Sequence, residues 1–283
     1  MILVTGAAGK TGLAVTKALA AKNLPVRAWV RRNHQEEQAR AAGAKETISG
    51  DLRDPIVIAP ALAGINSIYL ICPNIHPDEY QVCAKLISAA KTAGVKKIVY
   101  HSVMLPAIEE MPHHWQKHHV EQELQSSGLD FTILQPASYT QNVLPYFDEI
   151  LSEGILRVPY STQAVFTPVD LGDVAEAAAM VFTESGHLGA VYELAGPEKL
   201  STTQMADEIG RFLMKKVEAE TQSLESWQAA ARENGLAEYP LDALSKMFSY
   251  YDIQGFVGNS LALEEVLGRK STTFNEFLKR NAK

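Results

Sequence analysis

Three groups of residues in this 283-residue chain have the types and spacing that chemistry needs. The first is Gly6-Ala7-Ala8-Gly9-Lys10-Thr11-Gly12, which follows the apolar run Ile2-Leu3-Val4 and opens a helical stretch. Glycines let the backbone turn tightly and approach a pyrophosphate, which then rests at a helix N-terminus where amides and the dipole favour anions. The spacing is G-x-x-G-x-x-G rather than G-x-G-x-x-G, and it lacks the longer gap before Gly-Lys-[Ser/Thr] that a Walker A loop requires. The loop reads as a dinucleotide-binding turn, with Gly6, Ala8, Gly9, Lys10, Thr11 and Gly12 as candidate contacts. The second group lies about 20 residues further on, where an acidic side chain would take the ribose hydroxyls of NAD. Arg31 and Arg32 stand there instead. Guanidiniums suit a 2′-phosphate, so the expected cofactor is NADP(H) in preference to NAD(H). The third group is His113-His114-Trp115-Gln116-Lys117-His118-His119. His114 and His118 are one helical turn apart, as two zinc ligands would be. No glutamate follows His113 or His114 in the H-E-x-x-H manner, and no distal third ligand is evident. No metal site is expected, and the histidines read as a solvated, weakly pH-sensitive helix face.

The elements that must position these groups alternate between strand and helix. Strands are expected at 2–5, 26–30, 46–50, 67–71, 97–101 and 131–135, with helices over 11–22, 35–42, 77–93 and around Val120 and Leu124. Such alternation implies a doubly wound parallel α/β sheet with right-handed crossovers. Beyond about 140 the pattern is less regular: mixed polar and apolar segments over 156–168, a helix over 171–183, a strand over 190–195, and two or three further helices from near Ser201 and Glu225. The expected organisation is a nucleotide-binding domain over 1–150, also receiving parts of 165–195, and a small interleaved α/β C-terminal lobe over 151–283 that covers the substrate.

Composition narrows the function classes. Lys and Arg total 26 against 33 Asp and Glu, a net charge of −7, and no basic run exists to bind nucleic acid. Hydrophobic residues make up 46% and charged residues 21%, an ordinary globular balance. No stretch approaches the roughly 18 apolar residues of a membrane span. The apolar opening reads as a strand and not a leader, and two cysteines, Cys72 and Cys83, provide no disulfide framework. A cytoplasmic protein is expected, a monomer or homodimer acting on a small molecule, with no nucleic-acid or membrane partner.

Thr5-Gly6-Ala7-Ala8-Gly9-Lys10-Thr11-Gly12, Gly50-Asp51, Lys117-x-x-x-Glu121, the segment from Ser127 to Pro136, Asn142, Val169-Asp170-Leu171-Gly172-Asp173-Val174-Ala175 and Leu267-Gly268-Arg269 together resemble the NmrA-like branch of the atypical short-chain dehydrogenases/reductases. The resemblance spans essentially the whole chain. It implies a Rossmann domain with a small C-terminal lobe and a nicotinamide cofactor in the cleft between them. By position, Asp51 and Leu52 would lie beside the adenine, Cys72 and Pro73 along the adenosine–ribose path, and Pro136 and Ala137 near the nicotinamide. Members of the wider family use Tyr-x-x-x-Lys, in which the lysine holds the ribose and the tyrosine is a general acid. Here Lys117 matches the lysine, His113 occupies the tyrosine position, and Ser102 matches the family serine. These three are the candidate catalytic residues, with Lys117 and Ser102 also contacting the cofactor.

Tyr139, Asn142 and Tyr146, with Phe166, are candidate substrate contacts; the aromatics equally suit the core of the small lobe. Quinone and triphenylmethane-dye reductases and iminium-reducing enzymes belong to this branch, as do non-catalytic redox sensors. The resemblance therefore implies an NADPH-dependent oxidoreductase that passes hydride to a small electrophilic acceptor, with a non-catalytic NADP(H)-binding regulator as the alternative. The missing tyrosine favours the regulator.

Overall fold

The computed structural model describes residues 1–73 and 75–281. Short apolar runs form β1 (Ile2–Val4), β2 (Val26–Val30), β3 (Glu46–Ser49), β4 (Ser67–Leu70), β5 (Lys97–His101) and β6 (Asp130–Pro136). Between them run α1 (Lys10–Ala21), α2 (Glu36–Ala41), α3 (Pro55–Leu62), α4 (Glu79–Thr92) and α5 (Pro112–Ser126). All four residues of β4 are buried, as a strand covered by helices on both faces requires. Its neighbours pair in parallel, Ile2 against Ser67 and Ser67 against Lys97.

The rest of the chain contributes α6 (Phe147–Glu153), β7 (Ile155–Val158), β8 (Val165–Phe166), α7 (Leu171–Thr183), β9 (Ala190–Leu194) and β10 (Leu200–Ser201). It continues with α8 (Thr202–Leu213), β11 (Glu218–Thr221), α9 (Leu224–Glu233), α10 (Glu238–Gln254), α11 (Leu261–Leu267) and α12 (Phe274–Asn281). The main sheet has seven strands in the order β3-β2-β1-β4-β5-β6-β9. This is the α/β Rossmann arrangement that the alternation implied. The strand order reverses between β1 and β4, and α/β sheets bind ligands in the crevice outside such a reversal.

Two compact units emerge. The first comprises Met1–Ala107, His114–Gln135 and Gly172–Tyr192; the second comprises Ile108–His113, Pro136–Leu171 and the chain from Glu193 onward. The first unit therefore ends its main run at Gln135, earlier than the expected 150, and recovers a later segment that supplies most of α7. Its core joins Leu3, Trp29, Ile68, Leu70, Leu86, Tyr100 and Ile133. The second unit carries two small sheets, β8 with β10 antiparallel and β7 with β11 parallel. A core of Ile150, Leu156, Ile209, Phe274 and Phe277 lies within that unit.

Several elements differ from the sequence reading. α3 lies in Pro55-Ile56-Val57-Ile58-Ala59-Pro60-Ala61-Leu62, whose β-branched residues and internal proline argue against a helix. The Asp54 carboxylate accepts the Ile56 amide at 2.9 Å and Pro55 sits in the first turn, so capping sets the helix where propensity does not. After β9 the described residues form five helices rather than two or three.

Candidate functional site

The glycine loop is fastened to the point where the strand order reverses. The Thr5 amide donates to the Tyr69 carbonyl, and the Thr5 hydroxyl both donates to the Ile71 carbonyl at 2.8 Å and accepts the Ile71 amide at 2.7 Å. The chain then turns at Gly6, which has φ +57°, a conformation that disfavours side chains other than glycine. At Gly12 a Cβ would lie 2.3 Å from the Gly6 carbonyl oxygen and 2.7 Å from the Ala7 Cα. Gly12 is therefore required for α1 to pack back on its own loop. Gly9 caps α1 without a side chain, so the positive end of the helix dipole faces the loop with no built-in anion.

A cavity of about 210 Å³ opens beside this loop, walled by Gly6, Ala8 and Gly9, by the end of β2 at Trp29, Val30 and Arg31, by Gly50 to Arg53 after β3, and by Gln35, Pro73, His76 and Val82. All of these residues belong to the first unit. The Trp29 indole N–H donates to the Gly50 carbonyl at 3.0 Å, joining the two loops of the wall. Asp51 takes Arg53 in a fork: Nη2 reaches Oδ2 at 2.6 Å and Nε reaches Oδ1 at 2.9 Å. The Arg53 guanidinium and backbone amide, with the Arg31 charge adding to them, hold the Asp51 carboxyl far below the usual carboxylate range. Asp51 therefore stays ionised. His76 accepts the Asp78 amide at Nδ1, 3.1 Å away, which leaves the proton of its neutral ring on Nε2.

Of the expected cofactor contacts, Gly6, Ala8, Gly9, Arg31, Asp51, Leu52 and Pro73 line this cavity. Arg32 is exposed and is not among the lining residues, its backbone amide closing a turn onto the Gln35 side chain at 3.0 Å. Gly12 is buried behind the loop. Cys72 is also absent from the wall: it is 5% exposed and belongs to the core beside Cys83. Trp29, Val30, Gln35, Gly50, Arg53, His76 and Val82 were not foreseen. Arg53 had a signal in its position two residues after Asp51, the reach of an Asx-type turn.

The lysine motif has a different setting. Lys117 is 6% exposed and its ammonium lies 2.6 Å from Oε1 of Glu79, which is fully buried. The ammonium also donates to the His101 carbonyl at 3.3 Å and stands 5.4 Å from the centre of the Tyr100 ring. The Tyr100 hydroxyl donates to the same Glu79 oxygen at 3.1 Å. Burial opposes the ammonium, yet Glu79 outweighs it and raises Lys117 above its ordinary range. The Cys72 thiol and burial together push Cys83 up; both cysteines are free and buried. Their sulfurs and a Glu79 oxygen lie within 4.8 Å of one another.

Ser102, 2% exposed, donates to Glu121, whose two oxygens also accept Nε2 of Gln135 at 2.9 and 3.1 Å. Lys117 and Ser102 thus each engage a buried carboxylate. His113 belongs to the second unit. The solvated histidine face needs correction, because His114 is 1% exposed and its Nδ1 lies 3.1 Å from the Leu105 carbonyl. Burial pushes its pKa down to about 4. Trp115 stacks on His118 and meets His119 edge-on.

In the second unit, Pro136 and Ala137 are buried, and the Ala137 amide donates to the Leu194 carbonyl at 2.9 Å. Tyr139 pairs with Val169. Gln141 ties this turn down, donating to Asp170 at 3.1 Å and accepting the Leu171 amide at 3.1 Å, and Arg280 of α12 also pairs with Asp170. Asn142 is exposed, and Tyr146 is half-buried with its hydroxyl pKa raised by burial. Phe166 is 3% exposed and packs on Tyr160 and Tyr251, each at 5.3 Å between ring centres. This packing is the one that the core alternative describes for Phe166.

The sequence profile of the NmrA-like family matches residues 1–278. The chain belongs to the NmrA-like family. Among its relatives, the NAD(P)H azoreductase of Xenophilus azovorans is 32% identical, with 100% of this chain and 98% of the relative covered. Quinone oxidoreductase 2 of Escherichia coli strain K12 is 31% identical, covering 98% and 96%. A crystal structure of an Escherichia coli NADPH-dependent quinone oxidoreductase complexed with NADPH superposes with a TM-score of 0.87 over all of both chains, at 28% identity. In the described residues of this NmrA-like chain, no helix is long and apolar enough to cross a membrane.

Proposed function

We propose that this chain is an NAD(P)H-dependent oxidoreductase that prefers NADP(H) and passes hydride to a small electrophilic acceptor, a quinone, dye or iminium. The observation that carries the reading is the cavity formed by the glycine loop and the ends of β2, β3 and β4 at the reversal of strand order. The relatives, an azoreductase and a quinone oxidoreductase, support the acceptor class. The residues fit the cofactor: the loop from Gly6 to Gly12 would take the pyrophosphate against the α1 dipole, Arg31 the 2′-phosphate, and Leu52 and Pro73 the adenine and ribose. When bound, the nicotinamide supplies the hydride.

The chain's own residues mainly bind and orient. Histidine replaces the family tyrosine, and Lys117 and Ser102 each engage a buried carboxylate. Carbonyl reduction, which relies on a placed proton donor, is disfavoured on these grounds, whereas quinones and iminium ions accept hydride with little acid help. Free core cysteines suit a reducing cytosol, where the protein would work as a monomer or homodimer.

The alternative, a non-catalytic NADP(H)-binding regulator, draws on the same absent tyrosine and engaged lysine. Both readings are tested by following NADPH oxidation against a panel of quinones, dyes and imines, with cofactor affinity measured in parallel. Turnover is expected with at least one acceptor class. Micromolar cofactor binding with no oxidation across the panel would replace the reductase by the regulator.

A further inference from the structure

The loop after β3 carries an arginine that the glycine and Arg31 arguments do not use. Arg53 lines the same cavity as Arg31, and it does not project as an untethered surface side chain. Asp51 holds its Nε at 2.9 Å and its Nη2 at 2.6 Å, and the same carboxylate accepts the Arg53 backbone amide at 2.9 Å. A guanidinium has five N–H donors, and this fork uses two of them. The Nη1–Nη2 edge, which suits bidentate recognition of phosphate oxygens, takes no part in it. Asp51, which the resemblance sets beside the adenine, is already committed to three donors.

Resting on the NADP(H) reading above, we propose that Arg53 is a second guanidinium of the 2′-phosphate site, and that Asp51 serves that site by anchoring Arg53. Arg31, from the end of β2, and Arg53, from the loop after β3, would grip the phosphate from two sides of one cavity. An arginine prefixed in orientation loses less side-chain freedom when it binds an anion, which is the contribution Asp51 makes.

The two roles open to Asp51 predict opposite signs. A carboxylate that merely adds negative charge repels a phosphate, so its removal strengthens phosphate binding; an anchor weakens binding when removed. The probes are adenosine 2′,5′-bisphosphate and 5′-AMP, titrated by calorimetry at two ionic strengths. They report this end of the cofactor site without the nicotinamide. Wild type is expected to prefer the bisphosphate, with the preference falling as salt screens the guanidiniums. Arg53→Ala should weaken the bisphosphate about tenfold, equivalent to about 1.4 kcal/mol, and leave 5′-AMP within about twofold, the pattern of a contact made only to the extra phosphate. Asp51→Asn keeps a side-chain acceptor for the Arg53 amide but loses the fork. It should weaken the bisphosphate in the same direction, by roughly threefold to fivefold, a partial loss of preorganisation. Tighter bisphosphate binding by Asp51→Asn, or an equal loss of both nucleotides in Arg53→Ala, overturns the proposal. Wild type that binds 5′-AMP without preferring the bisphosphate also overturns it but leaves a nucleotide site. Wild type that binds neither probe removes the cofactor reading itself.

Discussion

Two of the first unit's carboxylate–cation pairs meet at the same heavy-atom distance in different surroundings, which give them different work. Asp51 and Arg53 meet at 2.6 Å with side chains 35% and 52% exposed, on the wall of a cavity. Glu79 and Lys117 also meet at 2.6 Å, but with 0% and 7% exposed. In water an ion pair contributes about 0–1 kcal/mol and can share its charges with an arriving anion. In the core each partner compensates a charge that would otherwise be desolvated alone, and neither can leave without large cost. The motif lysine is therefore tied to a buried carboxylate, whereas Arg53 stands half-exposed on a cavity wall.

The largest effect that tests this contrast is Glu79→Ala. It strands the Lys117 ammonium in the core and should cost about 3–5 kcal/mol of unfolding free energy, read from chemical denaturation. The double variant Glu79→Leu with Lys117→Met should recover most of that loss, because both charges leave together. A cost below about 1 kcal/mol for the single variant would put the pair in the same class as Asp51–Arg53.

A pH dependence comes next. Burial, with the Lys117 charge adding, holds His101 at about 3, and burial holds His114 at about 4, both below the ordinary 6.5. Above 6.5 both are neutral whether the chain is folded or not, and they cost nothing. As pH falls through 6.5 the unfolded chain takes up protons that the folded chain refuses, so stability drops until the folded values are reached. Between pH 6.5 and about pH 5 the loss should be on the order of 2 kcal/mol per histidine. His114→Asn should flatten that slope; an unchanged slope would mean the ring is protonated in the folded state.

Gly12→Ala places a methyl 2.3 Å from a backbone oxygen. Overpacking of this kind should cost about 1–3 kcal/mol and abolish measurable cofactor binding, since the loop must move. The smallest effect separates adjacent arginines: Arg31→Ala should weaken NADPH about tenfold, a loss of about 1.4 kcal/mol, whereas Arg32→Ala, away from the cavity wall, should stay within about twofold, as surface substitutions do. Equal losses would restore the arginine pair that the sequence suggested.

Much of the first unit was legible from sequence. The bounds read for β2, β5 and α7 match the structure to the residue, because strands buried on both faces are apolar runs and α7 has a clear apolar face. The glycine loop was legible because its steric demands are local. Glu79 was not, since it meets Lys117 across 38 residues of sequence and only the sheet brings them together. Cys72 and Phe166, for which burial was the open alternative to a place in the site, are both buried, the common outcome for a small thiol and a phenyl ring. α3 was missed because a cap and a leading proline overrode the propensity of its β-branched residues.

The division into compact units has a practical consequence for anyone cutting or recombining this gene. The first unit is assembled from three separate stretches, the last ending at Tyr192. A truncation after residue 150 would deliver a sheet without β9 and a unit without most of α7, exposing the surfaces those elements cover. Recombination between relatives therefore follows the boundaries of the inserted segments, 108–113, 136–171 and 193 onward, and not a junction of a front half to a back half.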